Sequence, residues 1–230
     1  MSYLCGTIIH QDRRFAQPGS AMSKVPYQRS AKWYDRFIEP LNVSLRQIGL
    51  KMCPATEGTI VLDVGCGTGT HLDLYQKAGC EVFGIDSSSA MLEVARNKLG
   101  QRATLHLGDA SQMPYEDGMF DLVIITLTLH EMPTPTRSAV LSEVKRVLRQ
   151  SGQLLVIDYH TGPIRFPRGW LGKGLITIIE FLAGGEHFRN YREFLATGGM
   201  QALSQRYSLR QTEAKIVSGG NIGLFVFTLE

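Results

Sequence analysis

The stretch Val61–Thr70 reads VLDVGCGTGT, a short apolar run carrying Asp63 that opens into a turn with Gly65, Gly67 and Gly69 at alternate positions. Glycine is required where the backbone takes a positive φ or where a ligand must approach without a Cβ in the way. Three alternating glycines supply both within one turn, so the turn is built to touch something. A dinucleotide-binding loop is spaced G-x-G-x-x-G and lays a pyrophosphate on the following helix N-terminus, whereas here the spacing is G-x-G-x-G. Asp63 would repel a pyrophosphate but accept charge-assisted hydrogen bonds from an ammonium group. A ligand with an amino-acid end fits better, and a nicotinamide-dependent dehydrogenase is disfavoured.

Outward from this turn, CEVFGIDSSSAMLEVA reads as a strand ending in Asp86. That is about 20 residues beyond the first glycine, the offset at which a carboxylate meets ribose hydroxyls in doubly wound nucleotide folds. Further on stand TLHLGDASQMPYEDGMFDLVIITLTLHEM and LRQSGQLLVIDYH. In this order the blocks resemble the motifs of the class I S-adenosylmethionine-dependent methyltransferases, and the wording PYEDGMFDLV and LHEM is similar to their ubiquinone/menaquinone C-methyltransferase-like branch. The resemblance covers Thr59 to Tyr159 well and the remainder loosely.

That resemblance implies an α/β fold: a doubly wound, Rossmann-like, seven-stranded and mainly parallel sheet with one antiparallel strand, binding S-adenosylmethionine and releasing S-adenosylhomocysteine. It places Asp63, Gly65, Cys66, Gly67 and Gly69 around the methionine part of the cofactor, Asp86 on the ribose, and Asp109 and Ala110 beside the adenine. Thr126 is expected to face the cofactor mainly through its backbone. Tyr34, in AKWYDRF, resembles an N-terminal tyrosine that closes over the cofactor; a core aromatic on an amphipathic helix is the competing reading. Met91 either lines the adenine or packs as an ordinary helix residue. Ser87 is expected to cap the helix that follows Asp86. Cys66 is also readable as a small buried residue, and Asp121 as a strand-edge residue without a binding role.

Strand patterns near Ile60–Val64, Glu81–Ile85, Thr104–Leu107, Leu122–Ile125 and Leu154–Ile157 alternate with helices, which implies a parallel sheet. The clearest helix, Thr136 to Arg149, gathers Val140, Leu141, Val144, Val147 and Leu148 on one face. Residues 1–22 are expected to be disordered, and 23–230 to form one domain, with a helical stretch from about Ser30 to Leu50. After Tyr159 an insertion from His160 to about Ser204 is expected to cover the active site and carry substrate specificity. The chain then ends in two strand-like runs around Ser218-Gly219-Gly220, a hairpin.

The 230 residues are 43% hydrophobic and 20% charged, with a formal charge of only +3, which suits an ordinary soluble enzyme and gives little support for nucleic acid. The segment after the fourth strand reads Thr126-Leu127-Thr128-Leu129, without the Asn/Asp-Pro-Pro-Tyr/Phe of base-amine methylation. Cys5, Cys53, Cys66 and Cys80 form no CxxC pair and no metal-like spacing with histidine, so no metal is expected. Without a signal peptide, a reduced cytoplasmic protein is the default. The run GWLGKGLITIIEFLAGG contains Lys173 and Glu180 and falls short of the ~20 residues of a membrane span. It is expected to pack on the core, cover the active site or lie on a bilayer surface. Its aromatic residues suit a small apolar or lipid-like acceptor. Alternatives are a non-catalytic cofactor-binding protein or a lipid head-group N-methyltransferase. An acceptor hydroxyl or acidic carbon would need a base, for which His130, His160 and His187 are candidates; a structural role for His130 stands beside that reading.

Overall fold

The computed structural model describes Arg36 and residues 39–230. The expectations for Tyr34 and for residues 1–22 lie outside the described residues. Helix α1 (Glu39–Met52) leads to β1 (Ile60–Val64), α2 (Thr70–Lys77), β2 (Glu81–Asp86), α3 (Ser89–Leu99), β3 (Ala103–Leu107) and β4 (Phe120–Thr126). Then follow α4 (Thr134–Val147), β5 (Leu148–Tyr159), α5 (Arg168–Leu182), α6 (Gly185–Ala196), α7 (Gly199–Arg206), β6 (Leu209–Val217) and β7 (Ile222–Leu229).

The seven strands form one sheet in the order β3-β2-β1-β4-β5-β7-β6. Strands β1 to β5 are mutually parallel, and β7 runs antiparallel to both of its neighbours. Strand order reverses between β1 and β4, and the crevice beyond the carboxyl ends of those two strands is where an open α/β sheet binds its ligands. The central strands read as near-continuous apolar runs because both faces are covered: Val61, Leu62, Val123, Ile124, Ile125, Leu154 and Ile157 are all fully buried.

Two element boundaries differ from the sequence reading. Helix α4 stops at Val147 because Leu148 turns extended and pairs with Phe120 of β4, and the β4–β5 register then shifts before Leu122 meets Gln153. Ser151 and Gly152 thus lie in a strand irregularity between those two pairings. The cap of α3 is Ser88, not Ser87: β2 runs on to Asp86, and the Ser88 hydroxyl accepts from Met91 N at 3.3 Å. The apolar face of α4 packs on the sheet as expected, with Val140, Leu141, Val144 and Val147 buried. Arg146, on the same helix, donates to Met113 O and Tyr115 O at 3.0 and 2.7 Å and pairs with Glu143 and Asp117. It thereby fixes the loop between β3 and β4. Asp121 accepts from Ile60 N at 2.9 Å and pairs with Arg149, which ties strand edges together.

The insertion is helical, and α5 is built inside out. Glu180 is 4% exposed on its inner face, while Trp170, Leu171, Leu175, Ile178, Phe181 and Leu182 stand 57–76% exposed. The expectation that this run packs its apolar side on the core is corrected: no described residue covers that side. The start of the helix is pinned by a close backbone crossing. A Cβ on Gly169 would lie 2.2 Å from Gly219 O, and Asn221 Nδ2 donates to Gly169 O at 2.8 Å. Among the described residues no helix is long and apolar enough to cross a membrane.

Candidate active site

Gly65, Gly67 and Gly69 all take positive φ, at 72°, 53° and 74°. The three differ in what a side chain would meet. A Cβ on Gly65 would strike Thr128 Cγ2 at 2.6 Å, and one on Gly69 would strike Leu99 Cδ1 at 2.8 Å. On Gly67 it would meet nothing within 4 Å. Two of the glycines are thus demanded by the protein's own packing, whereas at Gly67 the bare backbone faces open space.

Backbone bonds hook this turn onto β2. Gly65 N and Cys66 N donate to Ile85 O at 2.8 and 3.2 Å, and Gly67 N donates to Asp86 Oδ2 at 2.8 Å. The other oxygen of Asp86 accepts from Ser88 N at 2.8 Å. Burial raises the Asp86 pKa and these two bonds oppose the rise. Each carboxylate oxygen accepting one backbone bond keeps a lone pair, so Asp86 can still accept from hydroxyls. Asp63 is 2% exposed on β1, in register with Gly84 of β2 and Ile124 of β4. Cys66 packs on Gly84, where an added Cβ would lie 2.7 Å from its sulfur. Burial, reinforced by Asp63 and Asp86, pushes the Cys66 thiol well up, so it is an inert wall of the turn.

Gly108 N donates to Asp86 O at 3.1 Å, which brings the end of β3 to the tip of β2. Asp109 follows it, exposed, with Oδ1 accepting from Ser111 N at 2.8 Å. Ala110 is half-buried and Met91 is 5% exposed on the first turn of α3. At the end of β4, Thr126 is buried; its hydroxyl lies 3.0 Å from His71 Nδ1, and its carbonyl accepts from the Thr128 hydroxyl at 2.8 Å. Leu127 then takes φ 51°, a left-handed conformation uncommon for a non-glycine residue, at the point where the chain leaves the sheet. The structure thus gathers Asp63, the glycine turn, Asp86 and Thr126 around the strand-order reversal, with Asp109 and Ala110 joined to it through the tip of β2.

A second polar group lies beyond β4, beneath α5 and α6. His130 stands in a short 3-10 turn, Leu129–Glu131, and is 2% exposed. Its Nδ1 is 2.7 Å from Asp158 Oδ1, while Asp158 Oδ2 accepts from Leu129 N and His130 N at 3.0 and 3.3 Å. Burial alone would depress the His130 pKa; the charge and hydrogen bond of Asp158 override it and push it up to about 9. Glu180 reaches in from α5, accepting from the Tyr159 hydroxyl at 2.6 Å and lying 2.5 Å from His187 Nε2 of α6. Asn190 of α6 donates to Glu131 O at 2.8 Å and locks the 3-10 turn beneath the helix. His160 is not part of this group: its Nδ1 lies 3.1 Å from Gly220 O, in the β6–β7 connection.

Asp158, Glu180 and His71 escaped the sequence reading. A single acid inside each of the apolar runs LLVIDY and LITIIEFL is the signal that could have found the first two, because a buried carboxylate needs partners. His71 carried no such signal.

Residues 61–152 match the family model described as a methyltransferase domain. The chain is 32% identical over 169 residues to a demethylmenaquinone methyltransferase of Tropheryma whipplei, a match covering 70% of this chain and 68% of that protein. The chain is a class I S-adenosylmethionine-dependent methyltransferase of the menaquinone-methyltransferase-like branch. A demethylmenaquinone methyltransferase of Staphylococcus aureus is 33% identical over 141 residues, covering 57% and 58% of the two chains. The fold is shared with a Pyrococcus horikoshii protein, TM-score 0.65 at 20% identity over 86% of this chain and 99% of that one. It is shared also with a SAM-dependent methyltransferase of Aquifex aeolicus, TM-score 0.57 at 21% identity over 86% and 98%. The methyltransferase takes S-adenosylmethionine as its cofactor, and the turn fits that group: the open face of Gly67 gives a backbone approach beside the acids Asp63 and Asp86.

Proposed function

We propose that the acceptor of the methyl group is a small apolar, quinone-like or otherwise lipid-like molecule, methylated at the carboxyl ends of β1 and β4. The observation that carries this reading is the inverted helix α5, whose apolar face is exposed beside the carboxyl end of β5, where Tyr159 bonds Glu180. A bilayer surface is the partner suited to such a face, with Arg165 and Arg168 exposed at its start. The demethylmenaquinone methyltransferases among the relatives are named for a lipophilic acceptor of this kind.

In this reading Asp63, Gly65, Cys66, Gly67 and Gly69 hold the methionine part of the cofactor. Asp86, on the turn capped by Ser88 and flanked by Ser87, accepts from the ribose, Met91, Asp109 and Ala110 border the adenine, and Thr126 faces the sulfur. The cofactor, when bound, supplies a methyl group on a sulfonium centre. The chain's own contribution is alignment, which can be worth several kcal/mol. His130 is the candidate catalytic side chain. With a pKa pushed up to about 9 its ring carries a proton at neutral pH, so toward an acceptor oxygen it acts first as hydrogen-bond donor and counter-charge, and as a base only after losing that proton.

The test is methyl transfer from labelled S-adenosylmethionine to a panel: a demethylated naphthoquinone with and without its isoprenoid tail, phosphatidylethanolamine vesicles, and RNA. Label is expected in the quinone. Label only in the phospholipid head group would redirect the reading to N-methylation, and label only in RNA would end it. Co-sedimentation with anionic vesicles should fall sharply in Leu171→Glu/Ile178→Glu.

A further inference from the structure

The polar group beneath the lid carries more than a positioning role. We propose that His130, Glu131 and His187 form a binding site for a first-row divalent metal ion, clamped between the turn after β4 and the lid helix α6. One ligand atom of each lies within 4.8 Å of the other two. Imidazole nitrogen with carboxylate oxygen is a donor set that suits zinc and its transition-metal neighbours.

The geometry of the His130 ring supports this independently. A ligating histidine characteristically gives its other N–H to a carboxylate, which fixes the tautomer and ring orientation. Here Nδ1 meets the fully buried Asp158 at 2.7 Å, and Asp158 is itself fixed by backbone N–H groups, including Tyr159 N at 2.7 Å. That leaves Nε2 facing the acids, 4.0 Å from Glu131 Oε1 and 3.7 Å from Glu180 Oε2. For the two proposed ligands the 4.0 Å separation exceeds hydrogen-bond length, and since two ligands each about 2.1 Å from a tetrahedral ion stand about 3.4 Å apart, His130 and Glu131 would draw together on binding.

Glu180 plays toward His187 the part that Asp158 plays toward His130, at 2.5 Å from His187 Nε2, and is anchored by the Tyr159 hydroxyl. Tyr191, 2% exposed with its ring 6.3 Å from that of His130, has a buried hydroxyl with no hydrogen-bond partner among the described residues. Three carboxylates, Glu131, Asp158 and Glu180, gather around two imidazoles, and a divalent cation balances that charge in a region shielded from water. Two cations stand nearby among the described residues: Arg137 of α4, held on Leu129 O and Met132 O, and Lys173 of α5, held over the Tyr191 ring at 5.3 Å. Binding displaces the proton of His130 and occupies Nε2, so metal and protons compete for the site and the donor role of His130 toward an acceptor belongs to the metal-free chain.

The full chain, stripped with chelator and dialysed, is titrated with Co2+ followed by visible absorption, then with Zn2+ in competition, and assayed by elemental analysis. About one equivalent per chain is expected, with a cobalt spectrum of low symmetry. Glu131→Gln and His187→Gln should each weaken binding at least about tenfold, and Asp158→Asn, which touches the ion only through His130, about 10–100-fold. Circular dichroism and S-adenosylhomocysteine binding at the glycine turn report folding separately, so loss of metal with cofactor binding intact leaves the methyltransferase reading untouched. A wild-type chain that takes up no ion, or folded Glu131→Gln and His187→Gln chains that bind as wild type does, would overturn the proposal.

Discussion

Replacing Gly67 by alanine, alongside the same change at Gly65, separates the two reasons a glycine can be required. At either position an L-residue held at positive φ costs about 1–2 kcal/mol of backbone strain. At Gly67 the cost ends there, because nothing lies within 4 Å of the new methyl group. A chain of this size loses about 2–4 °C of Tm per kcal/mol, so Gly67→Ala should unfold about 2–8 °C lower. At Gly65 the methyl would sit 2.6 Å from Thr128 Cγ2 and 2.9 Å from its hydroxyl, which is tied to Thr126 O at 2.8 Å and cannot simply turn away. Overpacking adds about 1–3 kcal/mol there. Thr128→Ala should therefore restore about 1–3 kcal/mol to Gly65→Ala and nothing to Gly67→Ala, a coupling that a double-mutant cycle reads directly. Isothermal titration with S-adenosylhomocysteine gives the other half. The extra methyl at position 67 occupies the space by which the cofactor reaches the backbone, so affinity should fall at least about tenfold, or 1.4 kcal/mol. If Gly67→Ala binds as tightly as the wild type, the cofactor does not approach there, and the assignment of the turn fails.

Other outcomes follow from the same contacts. Asp86→Ala removes the acceptor for Gly67 N and Ser88 N together with the proposed ribose contact; hydrogen bonds to a charged group are worth about 1.5–3 kcal/mol, so cofactor affinity by titration should drop about 10–100-fold. Burial, then Arg46, lowers the His71 pKa to about 3, against about 6.5 when unfolded. The folded state then binds fewer protons, so stability is level above pH 6.5 and falls as pH drops toward 3, by up to about 1.4 kcal/mol per unit. Denaturant melts at several pH values should show this acid limb flattened in His71→Gln, and an unchanged slope would mean another group drives it. Asp158→Ala leaves Leu129 N, His130 N, Tyr159 N and the His130 ring without their acceptor. A loss of about 3–5 kcal/mol in chemical denaturation is expected, and a loss under 1 kcal/mol would show that the cluster does not hold the β4 turn.

Local chemistry was enough to read the strands and the glycine turn at the point where strand order reverses. The glycine spacing, Asp63 inside an apolar run and Asp86 at the next strand end are properties of short segments, and the strands carrying them are buried on both faces, so their apolar runs announce themselves in the sequence. The parallel part of the sheet was legible for the same reason, while the reversed strand was implied by the family resemblance and by the hairpin signal at Ser218-Gly219-Gly220. Boundaries slipped where a partner strand decided them: Leu148 has ordinary helix propensity, yet pairing with Phe120 turns it extended, and one more residue in β2 moves the cap of α3 to Ser88.

The arrangement of the helical insertion was decided by tertiary structure alone. Helical periodicity says which residues share a face, but not which face turns inward; here Glu180 faces in, bonded to Tyr159 and His187, and the apolar side faces out. Likewise His130, Asp158, Glu180 and His187 sit on a turn, a strand and two helices. Ligand spacing along a chain reveals a site only when one element carries its ligands. Here four elements meet around one buried point, and only the packing of the lid onto the sheet brings those charges together.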